Sequence, residues 1–107
     1  GGQGDLVLAA DVLVYFGNLV PFLSAAVSAV RSRKGVIAFT LEELEGDECN
    51  EDAAGWKLTT SGRYAHCRQY VHRAAAATGG LEVYQVDSIT PRWNRGKPVA
   101  GTLFLLR

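Results

Sequence analysis

The feature that most constrains the fold is residues 5–19, which read DLVLAADVLVYFGNL. A continuous apolar run leads to Asp11, and a turn and a helix start follow within a few residues. Such runs are typical of strands in parallel α/β sheets, where ligands bind at the carboxyl ends of the strands. Because the run opens the chain, we expect the earlier strands of that sheet to be missing. We therefore interpret the chain as the second half of a cofactor-binding domain.

Composition narrows the class of protein. The chain has 107 residues, enough for one small domain, and eleven basic residues balance eleven acidic ones. This neutrality argues against a nucleic-acid or anionic-membrane partner, and no run approaches the roughly 18 apolar residues of a membrane span. Cys49 and Cys67 lack metal-ligand spacing, so we expect no metal site and two free thiols in a reducing cytoplasm.

Apolar periodicity predicts two helices and three further strands. They are helices after Asn18 and over 64–78, and strands over 36–41, 81–89 and 99–106. The last two strands are consecutive and should pair antiparallel. The expected fold class is an α/β, partial Rossmann-like sheet of order β-α-β-loop-α-β-β. Its parallel strands and C-terminal antiparallel hairpin would form one partial domain over residues 1–107.

An acidic stretch follows the second predicted strand. Residues 42–55 contain seven acidic side chains and no basic one. Stretches of this kind are usually solvated loops, but a loop after the carboxyl end of a strand is also where lids over ligand sites lie. Both interpretations stay open.

Two carboxylates end the predicted strands. Asp11 follows the first strand and Glu42 ends the second, so parallel pairing would place both at the same edge of the sheet. A turn or cap is the structural alternative for Asp11. In the functional interpretation Ala10, Val12 and Tyr15 share the wall of a ligand pocket with Asp11. Two acids at one edge could also orient an amine or act as a base.

A second cluster lies at the start of the second predicted helix. Arg63, His66 and Tyr70 fall at helical spacing, which would put them on one side of that helix, near the site. A surface or hydrogen-bonded histidine is the alternative for His66. Arg92, Trp93 and Arg95, in the predicted loop of the final hairpin, are interpreted as ordinary loop residues.

Four segments resemble one family. They are AADVLVYFG at 9–17, FTLE at 39–42, SGRYAH at 61–66 with the following Tyr70-Val71, and VAGTL at 99–103. Together with the order of elements, they resemble the C-terminal half of class I S-adenosylmethionine-dependent methyltransferases. The SGRYAH segment is most similar to bacterial methyltransferases of the tetratricopeptide-repeat-associated type.

The resemblance implies methyl transfer from a sulfonium donor, and it implies roles for eight residues. Ala10, Asp11 and Val12 would contact S-adenosylmethionine; Tyr15, Arg63 and Tyr70 would bind the acceptor; and His66 or Glu42 would be the base. The family's glycine-rich loop and its ribose-binding acid are absent from the sequence. We therefore expect the activity in the parent protein, and weak or no cofactor binding by these residues alone.

If the earlier strands of the sheet are missing as expected, the first strand keeps an unpaired apolar edge, which favours a homodimer through that edge. The alternatives to a methyltransferase are half of another Rossmann-like nucleotide-dependent enzyme and a non-enzymatic interaction module.

Overall fold

The protein is described from a computed structural model that covers residues 6–9, 13–33, 35–44, 46–49 and 54–107. Within these ranges it has two α-helices, α1 (Val20–Arg33) and α2 (Arg68–Ala77), and two 3₁₀ helices, Leu13–Tyr15 and Gly46–Cys49. The strands are β1 (Leu6–Ala9), β2 (Val36–Glu43), β3 (Trp56–Leu58), β4 (Tyr64–His66), β5 (Val83–Asn94) and β6 (Lys97–Leu106). The predicted cofactor contacts Ala10, Asp11 and Val12 lie outside the described residues.

Strand β2 is the centre of the sheet. β6 pairs antiparallel with it from Ile37 to Glu42. On the opposite edge of β2, β1 pairs parallel with Val36–Phe39, and β4 pairs parallel with Glu42 and Glu43. β3 then pairs antiparallel with β4, and β5 pairs antiparallel with β6. The carboxyl end of β2 is therefore flanked by β4 on one side and β6 on the other.

The predicted fold class is wrong. A partial Rossmann-like α/β sheet was expected, but the described sheet is mixed and rich in strands, and its two α-helices have only 14 and 10 residues. Two of its strand pairings are parallel and three are antiparallel. The main cause lies in residues 56–66, which form the β3–β4 hairpin where a loop and a helix start were predicted.

A tight turn explains this hairpin. Gly62 has φ +83°, a conformation that glycine adopts without strain, and Thr59 and Arg63 are joined across the turn. The Thr59 amide and its hydroxyl both donate to the carbonyl of Arg63, at 2.9 and 2.8 Å. These bonds close the chain into antiparallel strands, so Tyr64–His66 is extended and α2 begins only at Arg68.

The final hairpin is longer than predicted. Its strands extend to Asn94 and from Lys97, so the connection is a two-residue turn rather than a loop over 90–98. Arg95 and Gly96 have φ values of 53° and 78°. Positive φ at both central residues is the type I′ geometry that matches the twist of antiparallel strands. Arg92 therefore belongs to a strand, which fixes the direction of its side chain.

The core lies between the two helices and the centre of the sheet. The rings of Phe39 on β2 and Phe104 on β6 stack with centroids 5.5 Å apart, and both are 1% exposed or less. Leu23 of α1 and Val71 of α2 are fully buried in the same cluster. Truncating an aromatic side chain such as Phe39 to alanine would cost about 3–5 kcal/mol.

Cys49 and Cys67 form a disulfide, so the prediction of two free thiols is wrong. The bond joins the 3₁₀ helix Gly46–Cys49 to the residue before α2, across 18 positions of the chain. It connects the 3₁₀ helix within the acidic stretch to the start of α2. Since disulfides are uncommon in the cytosol, the cysteines no longer argue for a cytoplasmic location, which stays a prediction.

Candidate functional site

Three of the predicted site residues meet at the carboxyl ends of β1 and β2. Tyr15 lies in the 3₁₀ helix after β1, Glu42 near the end of β2, and Arg63 just before β4. The Arg63 guanidinium lies 5.8 Å from the centroid of the Tyr15 ring, and its Nη1 lies 3.6 Å from Glu42 Oε2. We call these three residues the Tyr15–Arg63–Glu42 rim. The Tyr15 side chain is 57% exposed, so the rim is open to solvent at that end.

Glu42 is the buried end of the rim. The residue is 5% exposed, and its two carboxylate oxygens accept hydrogen bonds of 3.1 Å from Nε and Nη2 of Arg92. Arg63 supplies a second positive charge. A buried carboxylate needs such partners, because removing it from water unpaired would cost several kcal/mol. The carboxylate is therefore held by two guanidiniums, which leaves it poorly placed to act as a free base.

His66 is separated from this rim. It was expected on one helix face with Arg63 and Tyr70, but both His66 and Arg63 precede α2. The imidazole is 2% exposed and its Nε2 lies 3.0 Å from the carbonyl oxygen of Gly17. Since that oxygen can only accept, Nε2 carries the proton and Nδ1 has the lone pair. Nδ1 has no hydrogen-bond partner among the described residues.

Burial sets the protonation of His66. Desolvation lowers the pKa of the imidazole from its ordinary value, and the hydrogen bonds to the carbonyls of Gly17 and Phe16 offset part of that shift. The side chain is consequently neutral at neutral pH, with an unprotonated Nδ1. This is the form of histidine that can accept a proton.

Tyr70 lies beside His66 and supports the start of α1. The two rings stack with centroids 6.1 Å apart. The Tyr70 hydroxyl accepts from the amide of Leu19 at 2.8 Å and donates to Asn18 Oδ1 at 3.3 Å. Burial raises the pKa of the phenol. Because Tyr70 is 7% exposed and its hydroxyl is already bonded, contact with an acceptor molecule stays a prediction.

Sequence reasoning missed Trp56 and its contact with Gly17. A Cβ on Gly17 would lie 2.2 Å from Nε1 of Trp56, so the indole occupies the space that a side chain would need. The Trp56 ring also packs edge-on against Tyr70, with ring centroids 5.0 Å apart. The sequence signal that could have indicated this contact is Gly17 itself, a glycine directly after the first strand and its turn.

A cavity of about 230 Å³ adjoins the buried end of the rim. It lies at the carboxyl end of β2, between the β3–β4 turn and the β5–β6 hairpin. Its lining includes Glu42, Thr60, Ser61, Arg92, Asn94 and Val99. Arg92 was interpreted as an ordinary loop residue from the sequence, and no local pattern connects it with Glu42, which lies 50 positions away.

No family model matches the chain, and no curated protein matches its sequence. Across the described residues, no group of three or more histidine, cysteine or acidic side chains is arranged to hold a metal ion. None of the described helices is long and apolar enough to cross a membrane.

Proposed function

We propose that this chain takes part in methyl transfer from S-adenosylmethionine, as the part of its parent protein that faces the methyl acceptor. The observation that carries the proposal is the Tyr15–Arg63–Glu42 rim. Three residues that the resemblance assigns to the acceptor side come from three separate segments and meet at the carboxyl ends of parallel strands.

Methyl transfer requires little of the protein beyond positioning the two reacting groups. A methyl group passes from a sulfonium to a nucleophile when the two are aligned and water is excluded. Arg63 supports this role because Glu42 holds its guanidinium in place over the Tyr15 ring. The result is a planar, charged surface next to an exposed aromatic face, on which an acceptor can be oriented.

A base is needed only if the acceptor must lose a proton. Of the two predicted bases, Glu42 is committed to arginines, whereas His66 keeps an uncommitted lone pair on Nδ1. His66 is 2% exposed and lies apart from the rim, beside Tyr70, so neither residue is placed to act as a base on an acceptor held at the rim.

The described rim does not fit the cofactor itself. The sulfonium and the ammonium group of the cofactor call for uncommitted oxygen acceptors, but the Glu42 carboxylate is bound by two guanidiniums. The predicted contacts Ala10, Asp11 and Val12 lie outside the described residues. We derive no step through the cofactor, and weak binding of S-adenosylmethionine by this chain stays a prediction, as does a cytoplasmic location.

The test uses the parent protein. Its thermal melt is measured with and without S-adenosylhomocysteine, which should raise the midpoint if the cofactor product binds the folded state. Transfer of tritiated methyl groups from S-adenosylmethionine into a small-molecule extract is then compared for Arg63→Ala and Lys97→Ala. Lys97 is an exposed cation beside the hairpin turn, outside the rim.

We expect Lys97→Ala to transfer label at the unaltered rate and Arg63→Ala to be at least roughly tenfold slower, with the same thermal shift. A parent protein that neither gains stability with S-adenosylhomocysteine nor transfers label would refute the proposal. Equal loss of activity in both variants would refute the role of the rim.

A further inference from the structure

The two sulfur atoms of the Cys49–Cys67 disulfide differ in their access to solvent. Cys67 is 1% exposed and lies within the hydrophobic core. Cys49 is partly buried and packs against that core from the end of the 3₁₀ helix Gly46–Cys49. Thiol–disulfide exchange begins when a thiolate attacks one sulfur and the other leaves. A thiol from solvent therefore reaches the bond at Cys49, and Cys67 is the sulfur that leaves.

The chain around each cysteine supports this direction of attack. Cys67 is the N-cap residue of α2, a helix of ten residues. The positive end of a helix dipole stabilises a departing thiolate at such a position. Cys49 directly follows two acidic residues, Asp47 and Glu48, whose charges oppose a thiolate on Cys49. The electron pair of the broken bond is therefore better accommodated on Cys67.

Backbone hydrogen bonds keep the surrounding fold closed without the disulfide. The Leu44 amide donates to the carbonyl of His66, and the Cys67 amide donates to the carbonyl of Gly55, both at 2.9 Å. Leu44 and Gly55 flank residues 45–54, so these bonds fasten the chain on either side of Cys49. Opening the disulfide thus frees the 3₁₀ helix and leaves the sheet and both α-helices in place.

Charge determines which thiols approach Cys49 most readily. Residues 45–54 contain five acidic side chains and no basic one. Such a stretch attracts cations and repels anions over distances of about 10 Å at moderate ionic strength. Its charges also repel one another, so the segment should extend once Cys49 is no longer bonded to the core. A cationic thiol is therefore favoured over an anionic one.

We propose that Cys49 is a site of reversible modification by a small cationic thiol, which opens the disulfide and releases the 3₁₀ helix. The thiolate forms a mixed disulfide with Cys49, and the electron pair of the broken bond passes to Cys67, which takes up a proton. A second thiolate then displaces Cys49 and completes the disulfide of the small thiol. The protein gains two electrons and two protons from two thiols, which are oxidised to one disulfide. None of these steps depends on methyl transfer.

A series of small thiols of different charge tests the site on this chain. Cysteamine is cationic, mercaptoethanol is neutral and mercaptopropionate is anionic. Disulfide opening is followed by alkylating the freed thiols and counting them by mass spectrometry. Each rate is divided by the rate at which the same thiol reduces hydroxyethyl disulfide, which removes differences in thiol reactivity. We expect the normalised rate of cysteamine to exceed that of mercaptopropionate by about tenfold at low salt, and by less at high salt.

The position of the mixed disulfide separates the two cysteines. Acid-quenched samples of the unaltered chain should carry it on Cys49. Cystamine, the disulfide of cysteamine, is then added to Cys67→Ala, which keeps the Cys49 thiol, and to Cys49→Ala, which keeps the Cys67 thiol. Because Cys67 is buried, we expect Cys67→Ala to be modified about tenfold faster than Cys49→Ala. If a variant fails to fold, the mapping in the unaltered chain still decides the question.

Limited proteolysis by a glutamate-specific endoproteinase measures the release of the 3₁₀ helix. Glu48 lies in that helix, and Glu82 is an exposed internal control whose amide and carbonyl both bond to Arg107. We expect the reduced chain to be cleaved after Glu48 about tenfold faster than the oxidised chain, with unchanged cleavage after Glu82.

The proposal is overturned if none of the three thiols opens the disulfide under native conditions, or if the normalised rates do not depend on thiol charge. It is also overturned by a mixed disulfide on Cys67, by equal modification of the two variants, or by equal cleavage after Glu48 in both redox states. Equal acceleration after Glu48 and Glu82 would show that the disulfide staples the whole fold, and would refute a local release.

Discussion

The guanidinium of Arg92 holds the buried carboxylate of Glu42 through two hydrogen bonds of 3.1 Å, across 50 positions of the chain. The pair connects the end of β2 to the β5–β6 hairpin, whose strand β6 already lies beside β2. It therefore fixes the far end of the hairpin relative to the carboxyl edge of the sheet. The same pair forms one wall of the cavity and orients the Tyr15–Arg63–Glu42 rim.

Breaking this pair should destabilise the fold. Among the described residues, Arg92→Met leaves the buried Glu42 with only the more distant Arg63 charge, at 3.6 Å. Removing one partner of a buried ion pair costs about 3–5 kcal/mol; because Arg92 is 24% exposed, we expect the lower part of this range. Urea unfolding of Arg92→Met and the exposed control Lys97→Met measures the difference.

The double variant Glu42→Gln/Arg92→Met separates the ion pair from side-chain volume. We expect it to recover part of the loss, since no buried charge is left without its bidentate partner. If Arg92→Met is no less stable than Lys97→Met, the buried pair contributes nothing measurable and this interpretation is wrong.

The pairings of β1 with β2 and of β5 with β6 could be predicted from sequence, whereas the fold class could not. Long apolar runs with a helix between them indicate the parallel pair β1 and β2, and two consecutive β-prone segments indicate the antiparallel pairing of β5 with β6. The β3–β4 hairpin escaped prediction because strands of three residues are too short to show a period. Only the bonds between Thr59 and Arg63 reveal it.

The residues of the candidate site could also be predicted from sequence only in part. Glu42 could be singled out because a carboxylate that ends an apolar strand must have a partner. Nothing local identifies Arg92 as that partner, or the Trp56 indole as the group that fills the space beside Gly17. These contacts join segments that are dozens of residues apart, so they follow from the tertiary fold alone. Helical spacing also misplaced His66, which is extended in β4.

The buried His66 should make stability depend on pH. Because desolvation lowers its pKa in the folded state, the unfolded state binds a proton first as the pH falls. The contribution of a neutral His66 is complete above the unfolded pKa of about 6.5 and decreases as the pH falls below it. We expect the melting temperature to decline between about pH 7 and pH 5.5, before carboxylates titrate.

Two matched variants test whether His66 causes this pH dependence of the melting temperature. His66→Gln should flatten the decline, whereas His72→Gln, at an exposed position of α2, should preserve it. Melting curves over the same pH range decide between them. An unchanged decline in His66→Gln would show that another group is responsible.

Gly17 should not accept a side chain. A methyl group on Gly17 would lie 2.2 Å from Trp56 Nε1, so Gly17→Ala must displace the indole from its place against Tyr70. Overpacking of this kind costs about 1–3 kcal/mol. Urea unfolding should show that Gly17→Ala loses this free energy of unfolding when Trp56 is present. The loss should be small in a Trp56→Leu background, because leucine leaves the space beside Gly17 empty. Additive losses in the double variant would contradict a contact between the two residues.

The outer edge of β1 should support self-association. β1 pairs with β2 along one edge, and in the described part of the chain nothing pairs with the other. Unpaired backbone donors and acceptors on an apolar strand recruit a second strand. We expect a concentration-dependent dimer in sedimentation equilibrium.

Proline scanning of β1 tests the edge directly. Neighbouring residues of a strand direct their N–H groups to opposite edges, so Val7→Pro and Leu8→Pro remove donors from different sides. One should weaken dimerisation by about tenfold or more while the fold persists, and the other should break the pairing with β2 and lower stability. Val7→Thr, which keeps the amide, should dimerise normally. A monomer at every concentration of the unaltered chain would refute the open edge as an interface.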